Sequence, residues 1–290
     1  MNCKEKMTFY SPLRYPWGKN KLAKFLAKVC INNKISGHYV EPYAWGASVA
    51  LFLLMEKYVK QITINDKDIA IYAFWYSVLY DTQNLIKKIR ETEITIENRK
   101  VQKDIQKQKE VASLLDLGFS TFFLNRTNIS GIINAGPIWW INQAGKYKLS
   151  CRYNKEELIK RIQLIAKYKK HITLENLDAL DLIKKVKKTK NTIFYFDPPY
   201  YLKWQSLYLN AYSNGDHQKV ADEIRKIRNV KWIVSYDNTP EITELYDGFN
   251  KIEYSFKHTA YRAKEGLEVL FFSNNLINVD SKTNPVLTKI

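Results

Sequence analysis

Apolar segments with the lengths of strands and helices alternate along most of the chain, and this alternation constrains the fold most strongly. Strands are predicted at residues 38–40, 62–64 and 191–196, and the first two flank an apolar helix. Strand–helix–strand units of this kind form parallel sheets covered by helices. Two final strand-like runs, IEYSFKH and EVLFFSN, suit an antiparallel hairpin. We therefore predict a doubly wound, Rossmann-like α/β sheet with an antiparallel edge.

The alternation stops between about residues 73 and 165. Residues 81–113 have the pattern of a polar, charge-dense helix, whereas residues 119–153 mix aromatic, Asn, Gly and basic residues without long apolar periodicity. We predict one discontinuous domain, residues 1–72 and 166–290, interrupted by a mainly helical insert of residues 73–165.

Composition restricts the class of protein and its partners. The 46 Lys and Arg residues against 29 Asp and Glu give a net charge of +17, which favours a polyanionic partner such as nucleic acid. No apolar run approaches the roughly 20 residues of a membrane span. The three cysteines and four histidines are scattered without metal-ligand spacing. We expect a reduced, cytoplasmic protein with neither a membrane anchor nor a metal site.

The turn after the first strand, EPYAWGAS at residues 41–48, is the first candidate binding element. In a doubly wound sheet this turn offers close backbone approach and free helix N–H groups to a nucleotide-like ligand. Asp66 ends the next strand, 20 residues beyond Gly46, where a carboxylate can accept hydrogen bonds from both ribose hydroxyls. The alternative is an ordinary β–α turn followed by a surface acid.

The second candidate element is the tetrapeptide Asp197-Pro198-Pro199-Tyr200, which follows a strand predicted to be buried. The two prolines impose a rigid extended turn at the carboxyl end of that strand. The Asp197 carboxylate and the Pro198 carbonyl can accept the two hydrogens of an exocyclic amino group, and Tyr200 offers a flat face to a base. Such hydrogen bonds make the amino nitrogen more nucleophilic toward a methyl donor.

These motifs together resemble the Dam-like (D12 class, alpha group) DNA adenine-N6 methyltransferases over most of the chain. The segments that carry the resemblance are PLRYPWGK at 12–19, EPYAWGAS, INDKD at 64–68, FFLNRT at 122–127, DPPY and SYDN at 235–238. The order of cofactor motif, insert and catalytic motif is that of the alpha group. The resemblance implies an enzyme that transfers a methyl group from S-adenosylmethionine to an adenine flipped out of double-stranded DNA.

The resemblance also assigns residues to the cofactor. Tyr15 and Lys19 are expected to close over S-adenosylmethionine, Asp66 to hold its ribose, and Asp178 to face its adenine. The remaining expected cofactor contacts are Glu41, Tyr43, Ala44, Gly46 and Asp197. Alternatives stay open for two of them, because Lys19 can be a solvated lysine and Asp178 a helix N-cap.

The insert is expected to be the target-recognition domain. Its candidate DNA contacts are Arg126, Asn128, Lys146, Lys148 and Arg152. Relatives that read GATC carry a pattern after the LNR segment that this chain lacks, so that specificity is not carried over. We expect a monomer in a restriction–modification role, with a cognate endonuclease as a possible partner. The alternatives are a cytosine-N4 methyltransferase and a catalytically impaired DNA-binding homologue.

Tryptophan stands at several positions where similar sequences usually have glycine. The chain has only ten glycines and seven tryptophans, and the affected positions are Trp17, Trp45, Trp139, Trp140 and Trp204. We hypothesise that these codons are UGA, which some bacterial lineages read as glycine. Genuine substitution, with an adapted or weakened cofactor pocket, is the alternative. TGG codons at the five positions would contradict the hypothesis.

Overall fold

The computed structural model describes residues 9–14, 19–139, 141–145, 147–201, 212–257, 265–280, 284–288 and 290. Five positions singled out above lie outside the described residues, namely Tyr15, Trp17, Trp140, Lys146 and Trp204.

In the described part of the chain, seven strands form one mixed sheet. They are β1 (His38–Glu41), β2 (Gln61–Asn65), β3 (Ile172–Glu175), β4 (Thr192–Phe196), β5 (Lys231–Asp237), β6 (Asn250–Lys257) and β7 (Glu265–Phe272). Their order is β3-β2-β1-β4-β5-β7-β6. Strands β1 to β5 are parallel, and β7 runs antiparallel between β5 and β6. The predicted Rossmann-like sheet with its antiparallel edge hairpin is confirmed.

The described helices pack on this sheet and on one another. They are α1 (Ala23–Asn32), α2 (Ser48–Met55), α3 (Ile69–Tyr80), α4 (Thr82–Glu91), α5 (Ile96–Lys107), α6 (Leu114–Thr127), α7 (Lys155–Lys167), α8 (Ala179–Lys185), α9 (Asn214–Lys226) and α10 (Pro240–Leu245). Local signals set several of their starts. Asp68 caps α3 by accepting a hydrogen bond from the Ala70 N–H, and Ser213 with Asp216 forms a capping box on α9.

The topology brings the two predicted motifs together. β1 lies between β2 and β4, with Val40 opposite both Thr63 and Phe194. Chain order reverses on the two sides of β1, which makes its carboxyl end the topological switch point where ligands of such sheets bind. The loop after β1 and the turn after β4 therefore lie side by side.

The insert shares its core with the sheet. One buried hydrophobic cluster joins Tyr39 and Ile62 of the sheet to Leu85, Phe122 and Tyr153 of the insert. The predicted boundaries at residues 73 and 165 fall inside α3 and α7, and the two-domain division stays a prediction.

The insert also contains a helix that apolar periodicity did not predict. Every residue of α6 from Leu117 to Thr127 is buried, so this helix has no polar face to produce an amphipathic pattern. The charged segment before it forms α4 and α5 rather than one helix. Among the described helices, none is long and apolar enough to cross a membrane.

Candidate active site

The turn after β4 places the carboxylate of Asp197 in a buried position. The strand is buried over its whole length, and Asp197 itself is only 5% exposed. Its Oδ1 lies 2.9 Å from the Lys19 Nζ and accepts a hydrogen bond of 2.8 Å from the Ser235 hydroxyl. Among the described residues, none donates a hydrogen bond to Oδ2 or to the Pro198 carbonyl oxygen. Two acceptors of the turn are therefore left for a ligand.

Lys19 is the centre of a buried polar network that includes Asp197. Its Nζ also lies 3.4 Å from Glu268 Oε2 and donates a hydrogen bond of 2.6 Å to the Tyr200 hydroxyl. Glu268, on β7, accepts hydrogen bonds of 2.5 Å from Tyr200 and 2.6 Å from Tyr254. Lys19 is thus a buried ion-pair partner, and the solvated alternative for it is wrong. The network also fixes Tyr200, whose side chain is buried rather than presented as an open face.

Burial and charge act in opposite directions within this network. Burial alone lowers the pKa of Lys19, but Asp197 and Glu268 outweigh it, so the net shift is upward and the ammonium stays charged. Burial raises the pKa of Asp197, and Lys19 partly offsets this effect. Because Lys19 stays protonated beside it, we assign Asp197 as a carboxylate held in an ion pair.

The loop after β1 is held in place by the strands beneath it. The Ala44 N–H donates to the Asn65 carbonyl at 2.7 Å, and the Asn65 side chain donates to Pro42 O at 2.9 Å and Leu177 O at 3.0 Å. Glu41 Oε1 accepts the Tyr39 hydroxyl at 2.9 Å and the Ala50 N–H at 3.2 Å, so it caps α2. Burial raises the pKa of Glu41 to about 8.

Asp66 closes the other side of the same loop. Its Oδ2 accepts the Trp45 N–H at 3.1 Å, and its Oδ1 accepts the Asp68 N–H at 3.0 Å. Burial is the main cause that raises the pKa of Asp66 to about 7, and the neighbouring Asp68 charge adds to it. The carboxylate lines a cleft of about 140 Å³ that extends to Pro199 of the turn after β4.

The remaining cofactor candidates border the same region. Tyr43 and Gly46 line the cleft, and the Tyr43 hydroxyl lies 3.0 Å from that of Tyr212. Asp178 caps α8 by accepting the Leu180 N–H at 3.0 Å, as its alternative interpretation predicted, and also pairs with Lys67 at 2.9 Å. Because Ala179 lines the cleft beside it, a helix-capping role does not remove Asp178 from the site.

The hydrogen-bond donors and acceptors of this region suit S-adenosylmethionine, but the side chain of Trp45 occupies part of the space that this cofactor needs. Asp66 can accept from ribose hydroxyls, and backbone N–H groups lie at the start of α2. The indole of Trp45, however, lies between Asp66 and Asp197, since the Trp45 N–H donates to Asp66 Oδ2 and its ring Nε1 donates to the Asp197 carbonyl oxygen at 3.1 Å. The cavity on the Lys19 side of this indole measures only about 20 Å³.

The predicted DNA contacts fall into a buried and an exposed group. Arg126 is 8% exposed and donates through Nε to Pro12 O at 2.7 Å, and Asn128 is fully buried and accepts from Arg99 Nε at 2.7 Å. Arg126 ties the insert to residues before it, and the Asn128 side chain bonds groups within the insert. Because both side chains are engaged inside the protein, the structure argues against direct DNA contact for them. Lys148 and Arg152 are exposed.

Two residues of the site were missed in the sequence. Asn65 and Glu268 are fully buried polar side chains at strand positions where apolar residues are usual. Asn65 ends the strand QITIN, and Glu268 directly precedes the apolar run VLFF, so a polar residue at a strand position was the available signal. Over the described ranges, no group of His, Cys, Asp or Glu could hold a metal ion.

Comparison with known proteins places the chain in a family. The D12 class N6 adenine-specific DNA methyltransferases match residues 15–259. The Type II methyltransferase M.MjaIII of Methanocaldococcus jannaschii is 23% identical over 233 residues, which are 73% of this chain and 78% of that protein.

Two solved structures are similar at low identity. A SAM-dependent methyltransferase from Agrobacterium tumefaciens aligns at 9% identity with a TM-score of 0.41, over 87% of this chain and 61% of that one. The rRNA methyltransferase aviRa from Streptomyces viridochromogenes aligns at 9% identity with a TM-score of 0.40, over 90% and 87%.

The match to the family spans the loop after β1, the insert and the turn after β4. The expected family, its adenine specificity and its cofactor are confirmed. The chain belongs to the D12 class N6 adenine-specific DNA methyltransferases, enzymes that use S-adenosylmethionine to methylate the N6 amino group of adenine in DNA.

Proposed function

We propose that Asp197 and Pro198 bind the N6 amino group of the target adenine and activate it for methylation. The observation that carries this proposal is the pair of acceptors, Asp197 Oδ2 and the Pro198 carbonyl, that no described residue engages. Two acceptors match the two hydrogens of an amino group. Hydrogen bonds to them favour a tetrahedral nitrogen and stabilise the positive charge that develops as the new bond forms.

The other groups of the network keep this turn in place. Lys19 and Ser235 both engage Asp197 Oδ1, which fixes the carboxylate and leaves Oδ2 directed to the substrate. Glu268 acts as a positioning residue, since it holds the Tyr200 hydroxyl and shares Lys19 with Asp197. Preorganised groups of this kind need little rearrangement during the reaction.

S-adenosylmethionine, when bound, supplies the methyl group. Asp66 accepts hydrogen bonds from its ribose hydroxyls, and Asp178 lies where its adenine would contact the start of α8. Burial of Asp66 makes these hydrogen bonds stronger than they are in water, because the surrounding dielectric is low. In this proposal Tyr15, which is not among the described residues, closes the same site.

The insert reads the DNA. Lys109, Ile133 and Asn134 of the insert line the same cleft as the loop after β1, so a base that enters the cleft contacts the insert. Exposed Lys148 and Arg152, together with Lys146, contact phosphates, and the net charge of +17 adds affinity without sequence information. The adenine is flipped from double-stranded DNA, since its amino group cannot be reached inside the duplex. The enzyme acts as a monomer in restriction–modification, beside a cognate endonuclease.

The test is methylation of plasmid DNA with labelled S-adenosylmethionine, followed by nucleoside analysis. Because the Trp45 indole lies in the cleft, the enzyme assayed carries Trp45→Gly, and the control carries Asp197→Asn in addition. We expect label in N6-methyladenine with the first protein and a loss of about 100-fold or more with the second, the scale of one lost transition-state contact. Label in N4-methylcytosine, or equal activity of the two proteins, would refute the proposal.

A further inference from the structure

The backbone at position 45 has a conformation suited to glycine. Trp45 has φ 45°, in the left-handed region that bulky side chains rarely adopt. Ala47 has φ 46°, whereas Gly46 between them does not lie in that region. The loop thus has a glycine where the backbone does not require one, and a tryptophan where it does.

The indole of Trp45 lies in the path between the two halves of the site. The backbone N–H of this residue is bonded to Asp66, and its ring Nε1 is bonded to the carbonyl of Asp197. Trp45 also lines both the cleft of about 140 Å³ and the small cavity beside Lys19. A ligand that reaches from Asp66 into the cavity beside Lys19 and Asp197 must therefore displace this ring. The cleft volume is well below the roughly 300 Å³ of a small-molecule site.

The other described tryptophans show that the left-handed conformation depends on the position of the residue and not on its being tryptophan. Trp75 and Trp232 are almost fully buried, and neither has a positive φ. Trp139 has φ 58° and is 43% exposed, and it does not line the cleft. Left-handed tryptophan thus occurs at both described positions where the resemblance predicts glycine.

From this geometry we infer that the residue at position 45 determines whether the methyl donor can bind, and that glycine is the residue the site requires. The Trp45 ring separates the cleft beside Asp66 from the small cavity beside Lys19 and Asp197. A nucleoside without a methionine arm needs only the part beside Asp66. The inference rests on the proposed function, because it takes Asp66 and Asp197 as the two ends of the cofactor site.

Calorimetric titration with two probes tests the inference. Adenosine and S-adenosylmethionine are titrated into the unsubstituted protein and into its Trp45→Gly, Trp45→Ala and Trp139→Gly variants. We expect both position-45 variants to bind S-adenosylmethionine about tenfold or more tightly than the unsubstituted protein. The ring must give up its hydrogen bond to the Asp197 carbonyl before the cofactor can bind, and the loss of one hydrogen bond alone corresponds to about that factor. Adenosine affinity should be the same in all four proteins, and Trp139→Gly should change neither affinity.

The melting temperature separates the effect of removing the indole ring from the effect of relieving backbone strain. Trp45→Gly should melt at a higher temperature than Trp45→Ala, because only glycine adopts a positive φ without strain. Equal S-adenosylmethionine affinity in all four proteins, with adenosine bound, would overturn the inference and leave the proposed site standing. If none of the proteins binds adenosine, the proposed nucleoside site is wrong, and the inference fails with it.

Discussion

Replacing Lys19 by methionine removes the cation of the buried network and keeps the length of the side chain. Asp197 and Glu268, 5% and 0% exposed, then remain as buried acids without their shared partner. A buried charge without a partner is one of the few single changes that destabilise a protein strongly.

The magnitude follows from the contact of 2.9 Å between Lys19 Nζ and Asp197 Oδ1. Coulomb's law gives about 6 kcal/mol at this distance with an effective dielectric constant of about 20. Measured losses for removing one partner of a buried pair are about 3–5 kcal/mol. We therefore expect Lys19→Met to lower the free energy of unfolding by about 3–5 kcal/mol, again the measured range for such pairs.

The loss should depend on pH with a definite sign. In the variant, burial raises the folded-state pKa of Asp197 above its unfolded value of about 4, and no ammonium offsets this. The penalty from Asp197 is therefore largest at high pH and disappears as the pH falls through its folded-state pKa and the carboxylate takes up a proton. The destabilisation should be larger at pH 8 than at pH 5.

Urea unfolding of both proteins at pH 8 and pH 5 measures this loss. The matched control is Lys184→Met, because Lys184 is an exposed partner of Asp181 on the surface of α8. Such surface pairs contribute about 0–1 kcal/mol, so the control should unfold almost as the original chain does. A loss below about 1 kcal/mol for Lys19→Met, the level of a surface pair, or the same loss at both pH values, would refute the role given to the ion pair.

Two further predictions address DNA and the ribose acid. Arg152→Ala should reduce the slope of log affinity for DNA against log salt by about 0.9, the value of one lost phosphate contact, whereas Arg126→Met should lower thermal stability and leave the slope unchanged. A salt-dependent binding series checks both, and an unchanged slope for Arg152→Ala would remove it from the interface. Because the pKa of Asp66 is about 7, adenosine should bind more tightly at pH 8 than at pH 6, as the carboxylate forms. Asp66→Asn should abolish this pH dependence in calorimetry; if it persists, another group such as Glu41 is responsible.

Periodicity and turn chemistry predicted the sheet because its strands follow simple rules. β4 is a continuous apolar run that ends where prolines begin, and it is buried along its length as that pattern requires. The β6–β7 hairpin was predictable from two adjacent strand-like runs. By contrast, α6 gave no periodic signal, since a helix buried on all sides has no polar face.

Site residues were predictable where they lie within a single sequence motif. They were less predictable where the fold brings together segments that are distant in the sequence. Asp66 and Asp197 were found because each follows a strand at a known edge of the sheet. Glu268 lies 71 positions after Asp197 in the sequence, and its role appears only when β7 places it beside Lys19. Arg126 and Asn128 were expected at DNA because they are polar residues in a basic insert, but their hydrogen bonds are to the protein. Residue type alone does not show whether a partner is internal.

The left-handed conformation of Trp45 and Trp139 supports the hypothesis that glycine is encoded at these positions, and it does so independently of the residue identities. The resemblance predicts glycine at these positions, whereas φ shows the conformation that the local backbone adopts. If tryptophan had been selected at these positions for packing, it would be expected to resemble Trp75 and Trp232, which are buried without a positive φ. Both described candidates instead combine a strained backbone with partial exposure. Because the acids, the ammonium and the turn around the cleft are already assembled, the identity of one residue at position 45 decides whether this site can use its cofactor.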